Sequence, residues 1–119
     1  MQNELSKRLF TFSVSVIKFV RTLPNEVEYK VIKYQLIKSA TSAGANYEEA
    51  QAGISKADFT NKVRISLKEM KETHYWLRII KEIIHPSSGE IESLTSLIDE
   101  SLELNKILGS IVIRSVNTK

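Results

Sequence analysis

Cysteine is absent from this chain of 119 residues. That excludes disulfides, zinc thiolate sites and cysteine nucleophiles together. Two histidines leave little for a histidine-rich metal site. Four glycines and two prolines are too few to punctuate a many-stranded β protein. No apolar run approaches the roughly 20 residues that span a bilayer. The opening MQNELSKRLF lacks the basic start, continuous apolar core and small-residue cleavage site of a signal peptide. The expectation is a cytoplasmic protein with no membrane partner. Catalytic punctuation is missing as well: there is no Gly-rich phosphate loop, no G-x-S-x-G and no H-E-x-x-H.

What is present is ordinary globular composition, 42% hydrophobic and 26% charged, which argues against disorder. The length suits one domain, residues 1–119. The net charge of +3 permits nucleic-acid binding without demanding it. The charge is unevenly spread. Residues 55–85 hold seven Lys/Arg against four Asp/Glu, and residues 86–119 hold three against five. The middle is basic and the tail acidic.

Breakers at Leu23-Pro24-Asn25, Gly53-Ile54-Ser55 and His85 to Gly89 divide the chain into four segments, each with helical periodicity. In the first, Leu5, Leu9, Phe12, Val16, Phe19 and Leu23 form a stripe, with Phe10, Ile17 and Val20 beside it. The second is expected to start at an Asn25 cap and run through Ala50, with Val27, Val31 and Tyr34 sharing a face beside Ile32 and Leu36. Its small residues, Ser39 to Asn46, let a neighbouring helix approach closely. The third opens on a Ser55 cap and lays Phe59, Val63, Ser66, Met70, Thr73, Leu77, Ile80 and Ile84 along the core. The fourth is expected to begin near Ser87, with Glu90 completing a capping box and Ile91, Leu94, Ile98, Leu102, Asn105, Leu108 and Val112 as its stripe. Four such helices with short connections predict an all-α, antiparallel up-down-up-down bundle.

The third segment carries two further lines at steps of three and four. Ile65, Glu69, Glu72, Trp76, Ile79 and Ile83 read either as a widened core or as a homo-oligomer interface anchored by Trp76. Arg64, Lys68, Lys71, Tyr75 and Arg78 read either as a solvated face, with pairs such as Lys68–Glu72, or as a phosphate-binding stripe. In the second reading Tyr75 stacks on an exposed base. Lys30 and Lys33 are weaker candidates for the same contact.

Two spacings invite an enzymatic reading. Glu82 and His85 make one Glu-x-x-His match, where a di-iron bundle needs a pair, so no metal is expected. Arg78 and His85, seven apart, look like the Arg-x(4–6)-His signature of the all-α HEPN ribonucleases, in which the histidine moves a proton and the arginine steadies the phosphate. Against this, Ile79 follows the arginine, and His85 precedes proline at a helix end.

The run from Ser39 to Ile80 resembles the 23S rRNA-intervening-sequence protein family, also called the four helix bundle protein family. The motifs are T-S-x-G-A-N-x-x-E at Thr41 to Glu49, S-K-x-D-F at Ser55 to Phe59, and L-K-E-x-x-E-T-x-Y-W-L at Leu67 to Leu77. The stretch from Leu104 to Ile111 fits too, and Glu48 is a departure. The resemblance implies an up-down bundle assembled as a homopentamer, without established activity. A similar bundle, the accessory variability determinant of diversity-generating retroelements, is a basic pentamer that associates with a reverse transcriptase and nucleic acid. Among the family-pattern positions, Asn46 and Glu49 are expected to hydrogen-bond across to the third helix near Glu69 or Thr73. The leading expectation is a non-enzymatic oligomer, without cofactor, that binds structured RNA or a ribonucleoprotein. A protein scaffold for a nucleic-acid enzyme is the alternative, and a HEPN-like ribonuclease the third reading.

Overall fold

A computed structural model describes residues 3–117. It contains four helices, α1 (Glu4–Val20), α2 (Val27–Gln51), α3 (Lys56–Ile83) and α4 (Ile91–Asn117), in antiparallel up-down-up-down order. The bundle measures 52 × 24 × 19 Å. Among the described residues no helix is long and apolar enough to cross a membrane.

Local chemistry sets the helix ends. Asn3 accepts from the Ser6 amide at 2.8 Å and caps α1. Its amide group also donates to Tyr47 and Gln51, pinning the start of α1 to the end of α2. Ser55 caps α3 as expected, accepting from the Asp58 amide. Two caps differ from expectation. The cap position of α2 is Glu26, which makes no side-chain capping bond, and the Asn25 oxygen accepts from Lys33. At α4 it is Ser88, not Ser87, that accepts from the Glu90 amide, and Ser87 is drawn onto the His85 ring.

The stripe of α1 lies in the core as read: Leu9, Phe12, Val16, Phe19 and Leu23 are buried. Phe10 from the adjacent line is 60% exposed, whereas Val20 is buried. In α2 the face is corrected. Val27, Val31 and Tyr34 do share a side, but it points to solvent at 75%, 54% and 64% exposure. The inward side is Tyr29, Ile32, Leu36, Ala40, Ala43, Tyr47 and Ala50. Apolar residues recur at helical spacing on both sides of this helix, so periodicity alone does not choose between them. Tertiary contact chooses: α2 packs between α1 and α3, and its small residues let both approach. A Cβ added at Gly44 would meet Leu9 and Ser13 atoms at 3.6–3.8 Å, ordinary contact distances.

Met70, Leu77 and Ile80 of α3 and Leu94, Leu104 and Leu108 of α4 complete the fully buried core. Each such side chain contributes about 1.5–3 kcal/mol by leaving water. The α2–α3 seam adds buried polar stitches. The Ser39 and Thr73 hydroxyls bond at 2.8 Å, and Ser66 donates to the Ala43 carbonyl at 2.7 Å. A Thr60–Ser115 hydroxyl pair joins α3 to α4. The α1–α4 seam is looser. It opens into a cleft of about 860 Å³ crossed by the bidentate Arg8–Glu100 pair at 2.6 and 2.8 Å. That hydrogen-bonded pairing raises the Arg8 pKa against the opposing effect of burial.

Candidate nucleic-acid interface

α3 positions both sequence-predicted lines. Its α2 side is marked by Ser66 and Thr73, which bond to α2, and its α4 side by Thr60. At 100° per residue, Arg78 lies five full turns beyond Thr60 on the same side, and Arg64, Lys68, Lys71 and Tyr75 flank it. Ile65, Glu69, Glu72, Trp76, Ile79 and Ile83 fall on the opposite, α2-side flank.

Arg64, Lys68, Lys71, Tyr75 and Arg78 are all exposed. Ion pairs among the described residues join Lys7 to Glu4, Arg8 to Glu100 and Lys62 to Glu49, and none involves this line. The Lys68–Glu72 pair of the solvated-face reading is not formed among the described residues. Glu72 accepts instead from the Trp76 indole N–H at 3.1 Å. The stripe is therefore a row of cations without internal neutralisation.

Its aromatic member is held from two sides. The Arg78 guanidinium lies 5.8 Å from the Tyr75 ring centroid, and the Trp76 ring meets Tyr75 edge-on at 5.3 Å and 75°. His74, half-buried beside them, has its pKa lowered, first by burial and then by the charge of Arg78.

The other flank is mixed. Trp76 and Ile79 are half-buried against the core, while Ile65 and Ile83 are 40% and 43% exposed. Glu69 and Glu72 are half-buried between them.

The two family-pattern polar residues are corrected. Asn46 donates to the Ser42 carbonyl and hydroxyl, so it stays within α2. Glu49 does cross to α3, but to Lys62 at 2.8 Å and not to Glu69 or Thr73. Thr73 is satisfied by Ser39 and by the Glu69 carbonyl. The Ser39, Thr73 and Ser66 hydroxyls make the α2–α3 bonds, and the Asn46 amide folds back onto its own helix. Lys30 is exposed, whereas Lys33 is tied to the Leu23 carbonyl and Asn25 and serves the α1–α2 turn.

Arg78 and His85 do not share one helix, contrary to expectation. α3 stops at Ile83, the Ile84 backbone is extended, and His85 lies beyond the helix that carries Arg78. The His85 Nδ1 atom accepts from the Ser87 amide at 3.1 Å. Among the described residues no three His, Asp or Glu gather where a metal could be held.

The family model of the 23S rRNA-intervening sequence protein matches residues 1–109. The chain belongs to that family. A solved structure agrees in sequence and shape. It is a protein of unknown function from the S23 ribosomal protein family of Bacteroides thetaiotaomicron, 36% identical with a TM-score of 0.79. The match covers 91% of this chain and 97% of that one. No curated protein matches.

Sequence reasoning missed the Arg8–Glu100 cleft between α1 and α4. Its signal was faint: Thr11, Ser15, Ser93 and Ser96 line it, small hydroxyl residues where a filled seam would carry large apolar ones.

Proposed function

We propose that this member of the family is a non-enzymatic, cytoplasmic homo-oligomer that binds structured RNA, alone or in a ribonucleoprotein, through the α4-side flank of α3. One observation carries the reading: Arg64, Lys68, Lys71 and Arg78 are exposed and without a carboxylate partner among the described residues, with an aromatic ring held among them. Cations three and four apart on a helix lie about 5–6 Å from each other and can each engage a backbone phosphate. In an oligomer the stripe repeats, and a weak site becomes multivalent. A pentamer is the assembly that the family resemblance implies.

Exchanging Arg64, Lys68 and Lys71 together for Glu tests this. Fluorescence anisotropy on labelled structured RNA is expected to show at least a hundredfold loss of affinity, roughly, from losing three phosphate contacts and adding repulsion. The helical circular dichroism should be unchanged, because all three residues are exposed. Undiminished binding overturns the reading.

A second reading rests on exposed apolar side chains of α2 and α4, among them Val27, Val31, Tyr34, Leu102, Ile113 and Val116. These suit a scaffold that engages a nucleic-acid enzyme. A specific protein partner retained after nuclease treatment, with no RNA affinity of the chain itself, would favour it. RNA cleavage that is lost in His85→Ala would favour the ribonuclease instead.

A further inference from the structure

The phosphate stripe ends, toward the C-terminus of α3, in a hollow of about 320 Å³ lined by Tyr75, Arg78, Ile79, Lys81 and Glu82. Tyr75 and Arg78 belong to the stripe, and the hollow adds Ile79, Lys81 and Glu82 to them. Tyr75 offers an aromatic surface braced by Arg78 and Trp76, and Ile79 offers an apolar wall. Glu82 is a carboxylate, exposed and without an ion pair among the described residues.

Two rules are broken at Glu82. It sits in the last turn of α3, where the helix dipole disfavours negative charge. It also stands beside a cation line suited to phosphate, where a carboxylate repels the backbone it would meet. Uncompensated breaches of local preference gather at functional positions. A carboxylate is acceptor-only, so the group it favours there is one that donates hydrogen bonds. Inside a nucleic acid, such donors belong to base edges and not to phosphates.

Building on the RNA-binding reading, we propose that this hollow seats one unpaired base, guanine in preference to the others. The base stacks beside Tyr75 and rests on Ile79, while Lys81 and Arg78 serve the flanking phosphates. The Watson–Crick edge of guanine presents two adjacent donors, the ring N1–H and the exocyclic amino group. They match the two oxygens of Glu82. Adenine and cytosine present one donor beside an acceptor, and uracil one donor between two acceptors. A paired guanine has this edge occupied, so the site takes a loop, bulge or strand end.

The test uses the full chain and labelled heptamers of uridine with a single central G, A, C or U, titrated by anisotropy at low salt. The expected result is an affinity for the G heptamer about tenfold above that for all-U, the scale of one good bidentate base contact. In Glu82→Gln the G advantage should vanish while all-U binding is retained or strengthened, because a repelling charge has gone. Loss of charge alone would raise every heptamer alike and leave the ratio standing. Binding of all four heptamers with equal affinity, or a G preference that survives Glu82→Gln, overturns this inference and leaves the stripe in place. No binding of any heptamer or of structured RNA at low salt overturns both.

Discussion

The two outer flanks of α3 come from one helix and one stretch of sequence, yet they carry opposite chemistry. On the α4 side every position of the line is exposed, and among the described residues the cations have no carboxylate partner. On the α2 side the acids are half-buried, Glu72 is held by Trp76, and Trp76 and Ile79 pack against the core. On the proposed reading, the α4-side flank meets a polyanion that brings its own counter-charge. On the same reading, the α2-side flank, with its anchored tryptophan bordered by exposed Ile65 and Ile83, is the one a second copy covers. The difference teaches that Glu72, spaced to pair with Lys68, instead holds the Trp76 indole.

The largest effect that would break this contrast is Trp76→Glu. A charge in the middle of the α2-side flank should dissociate the proposed assembly to the 13.5 kDa monomer in light scattering. Circular dichroism should keep its helical signal, since Trp76 is only half-buried. An assembly that persists would move the interface to another surface, and the outward line of Val27, Val31 and Tyr34 on α2 is then the place to put the charge.

A smaller effect separates stability from function. Thr73→Val removes one partner of the buried Ser39–Thr73 bond. The expected cost is about 1–3 kcal/mol in denaturant unfolding, because Ser39 is left with only a long bond to the Leu36 carbonyl. RNA affinity of the folded protein should not change, since both flanks ride on the same helix. A parallel loss of RNA binding would show that the stripe depends on the α2–α3 seam.

The smallest effect is set by pH. His74 has a folded pKa below its ordinary value of 6.5. The unfolded chain therefore takes up the proton first. Stability from this residue is complete above about pH 6.5 and is lost as pH falls through the lower folded pKa. Protonation also adds a charge beside the basic flank, so RNA affinity should rise over the same window. Melting temperature and affinity thus move in opposite directions as pH falls. His74→Gln should reduce both trends, and if it alters neither, the pH dependence arises elsewhere.

In α4 the core lies beside the expected stripe, for Leu97, Ser101 and Leu104 are buried while Ile91 and Leu102 are exposed. The core stripes of α1 and α3 were legible because they repeat at steps of three and four, and burial follows the period. The outward face of α2 was not, since its apolar residues recur on two sides and only the packing of α1 and α3 selects the smaller-residue side. The Asn25 cap does not form, and Lys33, eight residues on, takes the asparagine oxygen. At the candidate site the positions of the cations were readable from spacing alone. Their lack of partners was not. The spacing of Lys68 and Glu72 suits a salt bridge, and the indole four residues further along takes the carboxylate instead. The contribution of Glu82 was likewise hidden, because an exposed acid is commonplace until the hollow beside it is seen.

The most direct measurement is the slope of log affinity for structured RNA against log salt, for the parent chain and for Lys71→Gln. If Lys71 neutralises a phosphate, the parent slope is steep and the variant's is shallower by about one. Parallel lines at equal affinity would contradict the claim that the α4-side flank of α3 is a phosphate-binding stripe.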